Sequence, residues 1–308
     1  MEIPNPAEES IVRKFTRPIW HKFLKGVKEY QLVQEGDRIA VCISGGKDSM
    51  MLAKCMQRLQ RYSKFPFEVE FLCLNPGYNE RNRQKIVDNA ALLGIPIHME
   101  KVRIFDVVAG MEQNPCYMCA RMRRGHLYKA AQDLGCNKIA LGHHFDDVIE
   151  TILMGMLYGS QIQTMMPKIH SENFPGMQLI RPLYLVREQD ILAWKAYNHL
   201  EFIQCACRMT ENIDKSGDGI GASKRQEIKV LLAQLREKSP AIDMNIFRSV
   251  ENVNLRTVIS YHDGEDYHHF LDTYDERITN HGMKQGQPRP EKEDTNGSTV
   301  CENSTASR

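Results

Sequence analysis

The residues best suited to chemistry follow a short apolar stretch near the N-terminus. Ile39–Ile43 is rich in β-branched residues and comes after the polar Gly36-Asp37-Arg38, a pattern that predicts a buried parallel strand. Ser44-Gly45-Gly46-Lys47-Asp48-Ser49 follows it directly, and strong helix formers begin at Met50. Paired glycines let several backbone N–H groups converge on one anion, and a helix N-terminus favours phosphate. We therefore predict a phosphate-binding loop between a strand and a helix.

The side chains of this loop suit ATP with its metal ion. Lys47 adds a positive charge, while Ser44 and Ser49 add hydroxyl donors. Asp48 would repel phosphate unless Mg²⁺ lay between them. The loop departs from the Walker A pattern, because one residue separates the strand from the glycine pair and Asp48 follows the lysine. A surface turn with incidental glycines is the alternative, and the strand before it and the helix after it argue against that.

A second candidate set follows another apolar stretch, which predicts a strand over Lys138–His143. His143-His144-Phe145-Asp146-Asp147 lies at its carboxyl end and precedes a helical segment. Ligands of open parallel sheets bind at the carboxyl ends of strands, so this set can face the same nucleotide as the loop. Acidic residues in a first helical turn are often only caps. Beside an ATP loop we favour Mg²⁺ binding by Asp147, with Gly142 and His143 as further nucleotide contacts.

Four of the nine cysteines form two tight pairs, Cys116 with Cys119 and Cys205 with Cys207. Four other cysteines lie in apolar strands or near helix faces, where thiols pack as small apolar groups: Cys42, Cys55, Cys73 and Cys136. Packing explains two tight pairs poorly, and disulfides are rare in the cytosol. A four-cysteine zinc site, an iron–sulfur cluster and a dithiol redox pair all stay open for them.

Basic residues lie near the first cysteine pair and in the N-terminal segment. The first group is Arg121, Arg123 and Arg124; the second is Arg13, Lys14, Arg17, Lys22, Lys25 and Lys28. Each group is a candidate for gripping RNA phosphates, and a solvated helix face is the alternative. Because the net charge of the chain is only +1, a nucleic acid must be held by such a local patch.

Strands alternate with helices along most of the chain, which predicts crossover units. Further strands are expected over Phe67–Leu74, Ile97–Val102 and Gln178–Leu183. We predict an α/β fold with a doubly wound, mostly parallel sheet and helical additions at both ends. The expected organisation is a helical segment over 1–35, the ATP-binding domain over 36–200, a helical extension with the second cysteine pair over 201–285, and a disordered tail over 286–308.

The composition is that of an ordinary globular protein. Hydrophobic residues make up 42% and charged residues 26% of the 308, enough chain for a substantial core. Residues 1–10 match neither a signal peptide nor a basic transit sequence, and no stretch reads as a membrane span. We therefore expect a cytoplasmic protein without a membrane partner.

The motifs together resemble a known enzyme family. Ser-Gly-Gly-Lys-Asp-Ser after a strand resembles the PP-loop of the ATP pyrophosphatases, which cleave ATP between its α- and β-phosphates and adenylate a substrate. Residues 10–235 resemble the tRNA 2-thiocytidine synthetase family in these further motifs: Cys116-x-x-Cys119 before arginines, Gly142-His143-His144-x-Asp146-Asp147, Met156-x-Tyr158-Gly159 to Met166-Pro167-Lys168, Ile180-Arg181-Pro182-Leu183, and a later cysteine pair.

The resemblance implies a cytoplasmic, homodimeric enzyme that binds ATP, Mg²⁺ and a 4Fe-4S cluster. Its reaction replaces the C2 oxygen of an anticodon-loop cytidine in tRNA with sulfur, supplied by a donor such as a cysteine desulfurase. It implies Lys47, Asp48, Cys116 and Cys119 as catalytic residues and Cys116 and Cys119 as cluster ligands. The third ligand would be Cys207, with Cys205 as the alternative, because one residue separates these two where the family usually has two.

Two other functions fit parts of the sequence. An adenylating ligase of the same superfamily would deliver an amine and would not need clustered thiols. An RNA- or nucleotide-binding module with a structural zinc ion would release no pyrophosphate from ATP.

Overall fold

The computed structural model describes residues 5–108, 115–203 and 220–274. The chain divides into two compact units, the first ending at Glu251 and the second beginning at Asn252. Cys205, Cys207 and the predicted tail over 286–308 lie outside the described residues.

The first unit is built on a six-stranded sheet with the order β3-β2-β1-β4-β6-β5. Its strands are β1 (Arg38–Ile43), β2 (Glu68–Asn75), β3 (Ile97–Lys101), β4 (Lys138–Ala140), β5 (Lys168–His170) and β6 (Gln178–Ile180). Every pair is parallel except β5 with β6, which is antiparallel at the sheet edge. The strand order reverses between β1 and β4, where open α/β sheets bind ligands. The predicted doubly wound, mostly parallel sheet is confirmed.

Helices cover both faces of this sheet. They are α1 (Pro6–Arg13), α2 (Lys22–Glu29), α3 (Lys47–Tyr62), α4 (Glu80–Leu93), α5 (Ile104–Val108), α6 (Pro115–Asp133), α7 (Phe145–Gly159), α8 (Glu188–Tyr197), α9 (Ile220–Lys238) and α10 (Ile242–Ser249), with a π-helical turn over Thr16–His21. Within the described ranges, none of the helices combines the length and the apolarity needed to span a bilayer.

The alternation of β1 divides the core into two layers. Ile39, Val41 and Ile43 point into a cluster formed with α1 to α4 and α8, whereas Ala40 and Cys42 point into a cluster formed with α6. Successive side chains of a strand point to opposite faces, so a strand that is apolar throughout must be covered on both. This explains why β1 carries an unbroken apolar run. A third cluster joins α7 to α9 and α10, and it holds α9 close to the start of α7.

Four cysteines outside the two pairs are core residues, as predicted. Cys55 and Cys73 belong to one apolar layer and Cys42 and Cys136 to the other. Burial raises the pKa of the Cys42 and Cys73 thiols to about 12 and that of Cys136 to about 11. Because the thiolate is the reactive form, these side chains are inert packing groups.

The structure differs from the sequence-based expectation in several elements. Helix α10 ends at Ser249, and Leu255–Thr257 forms a 3₁₀ turn within the segment predicted as a helical extension. The edge strand β5 was missed. Ser260–Asp263 and Asp266–His269 form an antiparallel hairpin, β7 and β8, in the second unit. Its alternating histidine, tyrosine and acidic residues lack the apolar period that predicts a strand.

Candidate functional site

The phosphate loop connects β1 to α3 and depends on Gly45. This residue has φ +83°, in the left-handed region that glycine adopts without strain. A Cβ placed on it would lie 2.5 Å from Ile86 Cγ1 and 2.8 Å from Ile203 Cδ1. Gly46 is the N-cap of α3 with φ −83°, and the nearest atom to a Cβ there is Ser44 Oγ at 3.6 Å. The fold therefore requires glycine at the first position of the pair, whereas a Cβ at the second would make only ordinary van der Waals contacts.

Ser44 and Ser49 brace the loop from within. The Ser49 hydroxyl donates to the Gly46 carbonyl at 3.0 Å and accepts from the Ser44 backbone N–H at 3.2 Å. The Ser44 hydroxyl also donates to Ser49 Oγ at 3.1 Å. Ser49 is buried, so it fixes the shape of the loop, while Ser44 is exposed and lines the cavity described below. The predicted phosphate contact of Ser49 stays a prediction.

Gly142, two residues after the end of β4, packs against the first turn of α3. A Cβ on this glycine would lie 3.0 Å from the Asp48 carbonyl carbon and 3.0 Å from the Ser49 nitrogen. Both contacts are with backbone, which cannot swing aside as a side-chain end can. Gly142 therefore brings the segment after β4 into direct contact with the phosphate loop.

His144 and Asp147 cap the start of α7. The Asp147 carboxylate accepts from the His144 backbone N–H at 3.0 Å, and His144 Nδ1 accepts from the Asp147 N–H at 3.4 Å. The other ring nitrogen of His144 lies 3.8 Å from Asp48 Oδ1. The buried Asp146 instead accepts from the Glu188 N–H at 2.7 Å and from Arg236 at 2.6 Å. The two adjacent carboxylates thus differ: Asp146 joins α7 to α8 and α9, while Asp147 faces the nucleotide loop.

A cavity of about 440 Å³ lies where the loop, the segment after β4 and α6 meet. Its polar lining comes from three separate regions of the chain: Ser44, Asp48, Ser49, His143, Asp147, Arg123 and Arg124. The volume falls within the range of small-molecule sites. The structure therefore brings together the predicted loop, the predicted His-Asp segment and two of the three arginines after Cys119. Arg121, the third arginine, is exposed.

Two residues that line the cavity each carry a buried polar atom without a hydrogen bond among the described residues. Asp48 Oδ1 and His143 Nδ1 are both buried without a hydrogen bond within the described part of the chain. Burial raises the pKa of Asp48, although His144 and Lys47 oppose it. Burial together with the nearby Arg181 lowers the pKa of His143 to about 4, so its imidazole is neutral at physiological pH. A carboxylate oxygen and an imidazole nitrogen that are both unsatisfied in one cavity can accept a ligand or an ion, and this donor set fits a nucleotide with its metal ion.

Lys47 has two carboxylate partners. Its Nζ lies 2.9 Å from Glu188 Oε1 and 3.1 Å from Asp48 Oδ2. Burial lowers the pKa of Lys47, but these two carboxylates outweigh it and the net shift is upward. Glu188 was not predicted from the sequence, because it is 141 positions away from Lys47. The only signal for it is that Glu188 follows β6 at the carboxyl edge of the sheet.

The first cysteine pair lies at the start of α6, the helix that also supplies Arg123 and Arg124 to the cavity. Cys116 and Cys119 are three positions apart in this helix, and their predicted joint role as cluster ligands stays a prediction. Cys119 is half-buried and packs beside the cluster of Leu74, Ile104 and Val108. In the described ranges, no group of three or more His, Cys, Asp and Glu side chains is arranged to hold a metal ion. The predicted cluster ligands Cys205 and Cys207 lie outside those ranges.

Several basic side chains of the N-terminal segment already have carboxylate partners. Arg13 lies 2.7 Å from Glu9, Lys25 lies 3.7 Å from Glu29, and Lys22 lies 3.9 Å from Asp190. Lys14 rests over the ring of Tyr197 at 4.1 Å. The predicted RNA contact of this segment stays a prediction, and the pairing weakens it.

The fold and the site define a class of protein. An α/β sheet carrying Ser-Gly-Gly-Lys-Asp-Ser at its switch point is a PP-loop protein, and the PP-loop domain family matches residues 16–215. Curated relatives give a finer assignment. A tRNA-cytidine(32) 2-sulfurtransferase of Citrifermentans bemidjiense is 32% identical over 249 residues, 80% of this chain and 93% of the relative. The chain belongs to the family of tRNA-cytidine(32) 2-sulfurtransferases.

Further comparisons agree with this assignment. A tRNA-cytidine(32) 2-sulfurtransferase 1 of Francisella philomiragia is 32% identical over 251 residues, 79% of this chain and 92% of the relative. Among solved structures, the U34-tRNA thiolase of Methanococcus maripaludis, determined with its 4Fe-4S cluster, aligns with a TM-score of 0.59 and 20% identity. The alignment covers 75% of this chain and 77% of that one, and it shows a shared fold.

Proposed function

We propose that this chain is an ATP-dependent tRNA sulfurtransferase that converts a cytidine of the anticodon loop to 2-thiocytidine. The observation that carries the proposal is the cavity in which the PP-loop, the His143–Asp147 segment and the arginines of the cysteine helix meet. The curated relatives, which are named for cytidine 32 of tRNA, support the same substrate.

The first step activates the cytidine. The loop N–H groups, Ser44 and Lys47 hold the ATP phosphates. Asp48 and Asp147 would hold Mg²⁺, which would supply positive charge to offset that of the phosphates. The C2 oxygen attacks the α-phosphorus, and the bond between that phosphorus and the pyrophosphate oxygen breaks. The neutral His143 contributes hydrogen bonding rather than charge to this site. Arg123 and Arg124 are suited to phosphate oxygens of ATP or of the tRNA backbone.

The second step replaces the activated oxygen. A sulfur nucleophile attacks C2, the C2–O bond breaks, and AMP leaves with the oxygen. Cys116 and Cys119, with Cys207 or Cys205, would hold a 4Fe-4S cluster that supplies a site for sulfur beside the cavity. The fit rests on the position of the first pair, because α6 leads from Cys119 directly to the arginines that line the cavity. A homodimer, a cysteine desulfurase as sulfur donor and a cytoplasmic location complete the proposal.

The test starts with the full chain purified without oxygen. We expect about four irons and four acid-labile sulfides per chain, ATP binding, and 2-thiocytidine in the nucleosides of treated tRNA. Cys116→Ala should abolish thiolation and leave ATP binding unchanged. Cys136→Ala, at a buried packing cysteine, is the matched control and should keep both activities.

Other outcomes decide between the alternatives. Colourless protein that takes up no cluster on reconstitution would favour a zinc-stabilised module or a thiol-independent adenylating enzyme. Full ATP-dependent adenylating activity after removal of all four paired cysteines would identify an amine-delivering ligase. Loss of both ATP binding and thiolation in Cys116→Ala would assign the cysteines a structural role.

A further inference from the structure

The positive charge of Lys47 is engaged before any nucleotide binds. Its Nζ lies within hydrogen-bonding distance of both Glu188 and Asp48, at 2.9 Å and 3.1 Å. The Lys47 side chain is 20% exposed and that of Glu188 27%, so water screens this pair only in part. A phosphate that binds at the loop must therefore draw Lys47 away from a carboxylate. Asp48 can then turn to a metal ion, but Glu188 would be left as a negative charge beside the phosphates.

Glu188 has a second cation within reach. Lys229 of α9 lies 3.6 Å from Glu188 Oε2, the oxygen that does not contact Lys47. The same ammonium group lies 3.7 Å from Glu150, whose carboxylate also meets Arg225 at 3.2 Å. Lys229 is 41% exposed and is thus free to move closer to Glu188.

The backbone around Glu188 is fixed while its carboxylate is shared. The Glu188 N–H donates to the buried Asp146 at 2.7 Å, which anchors the start of α8. Asp146 itself is held by Arg236 of α9 at 2.6 Å. The anchored start of α8 therefore places the Glu188 carboxylate between a lysine of the phosphate loop and a lysine of α9.

We propose that Glu188 is a positioning residue that exchanges Lys47 for Lys229 when ATP binds. In the free protein its carboxylate pairs with Lys47, and with nucleotide bound its charge is neutralised by Lys229. The inference rests on the proposed function only in taking ATP as the ligand of the loop. Its consequence is that α9, the helix that follows the second cysteine pair in the chain, is coupled energetically to nucleotide binding.

The exchange predicts opposite effects for the two partners. Glu188→Gln removes a competitor for Lys47 and a negative charge near the phosphates, so the Kd for ATP should fall roughly fivefold, the scale of a partly exposed ion pair. Lys229→Ala removes the ammonium group that would take the place of Lys47 beside Glu188, and His144, whose Nε2 lies 4.0 Å from Glu188 Oε1, stays as a weaker neighbour. The Kd should therefore rise by about threefold. The double variant should bind ATP like Glu188→Gln, because Lys229 acts through Glu188.

The experiment is a double-mutant cycle on ATP binding by the full-length chain. Isothermal titration calorimetry gives the Kd for wild type, both single variants and the double variant, each with and without Mg²⁺. Lys224→Ala is the matched control: it makes the same charge change on the same helix, but the Lys224 ammonium lies over the Tyr158 ring at 5.1 Å. Thermal unfolding of each variant checks that the fold is retained.

Three outcomes would overturn the inference. Weaker ATP binding by Glu188→Gln, seen only with Mg²⁺, would make Glu188 a direct metal ligand. Equal Kd values for Lys229→Ala and Lys224→Ala would remove α9 from the coupling. Additive effects in the double variant would mean that the two residues act separately. A wild-type chain that binds no ATP would instead refute the proposed function.

Discussion

Replacing Gly45 by alanine tests whether the PP-loop is shaped by the fold rather than by its ligand. The added Cβ meets two separate penalties. The residue has φ +83°, which costs an L-amino acid about 1–2 kcal/mol. The Cβ also lies 2.5 Å from Ile86 Cγ1 and 2.8 Å from Ile203 Cδ1, far inside the separation of about 3.5–4.0 Å at which carbon atoms attract.

A second glycine separates these penalties. Gly94 ends α4 with φ +63°, and a Cβ there would have no neighbour within 4 Å. Gly94→Ala should therefore cost only the backbone term of about 1–2 kcal/mol. Overpacking adds about 1–3 kcal/mol, so Gly45→Ala should cost roughly 2–5 kcal/mol.

The assay is urea unfolding followed by circular dichroism, with ATP binding measured on the folded variants. Gly45→Ala should lower the unfolding midpoint more than Gly94→Ala and should also weaken ATP binding. Adding Ile86→Ala to Gly45→Ala removes the nearest atoms, so the double variant should be more stable than the sum of the single losses predicts. Equal losses of stability for the two glycine variants, or strict additivity with Ile86→Ala, would refute the steric argument.

Two further predictions concern buried charges. Glu8→Ala leaves the buried Lys54 ammonium without the carboxylate 3.0 Å away and should lower the free energy of unfolding in urea by about 3–5 kcal/mol. Glu9→Ala loses only its ion pair with the exposed Arg13 and should lower this free energy by under about 1 kcal/mol. Similar losses for the two variants would contradict this prediction. Burial lowers the pKa of His143 from 6.5 to about 4, so the unfolded chain binds an extra proton between those values. The free energy of unfolding should therefore fall by roughly 2–3 kcal/mol as the pH drops from 6.5 toward 4. His143→Gln should flatten this decline, which is followed as the urea midpoint at each pH. Parallel pH profiles for the wild type and the variant would refute the prediction.

Much of the fold follows from local pattern. The apolar runs of β1 and β2 predict those strands to within about one residue, because the period of a strand is set by consecutive residues. A segment whose apolar residues do not recur at the period of a strand or a helix gives no such prediction. The hairpin of β7 and β8 alternates tyrosine, histidine and acidic residues and was therefore missed.

The roles of neighbouring residues depended on the tertiary structure. Asp146 and Asp147 are adjacent in the sequence and chemically alike, yet Asp146 is buried against Arg236 while Asp147 lines the cavity. Their positions differ by one step around the first turn of α7, which sends the two carboxylates in different directions. No local pattern distinguishes them.

By itself, the sequence determined the phosphate loop, the central strands of the sheet and the family, because each depends on residues that are close along the chain. Only the tertiary structure decided what surrounds that loop. Gly45 is required because Ile86 and Ile203 pack against it, and Lys47 is held by Glu188. Those partners come from distant segments that meet at the carboxyl edge of the sheet, and a contact between distant segments is specified by the packing of the whole domain.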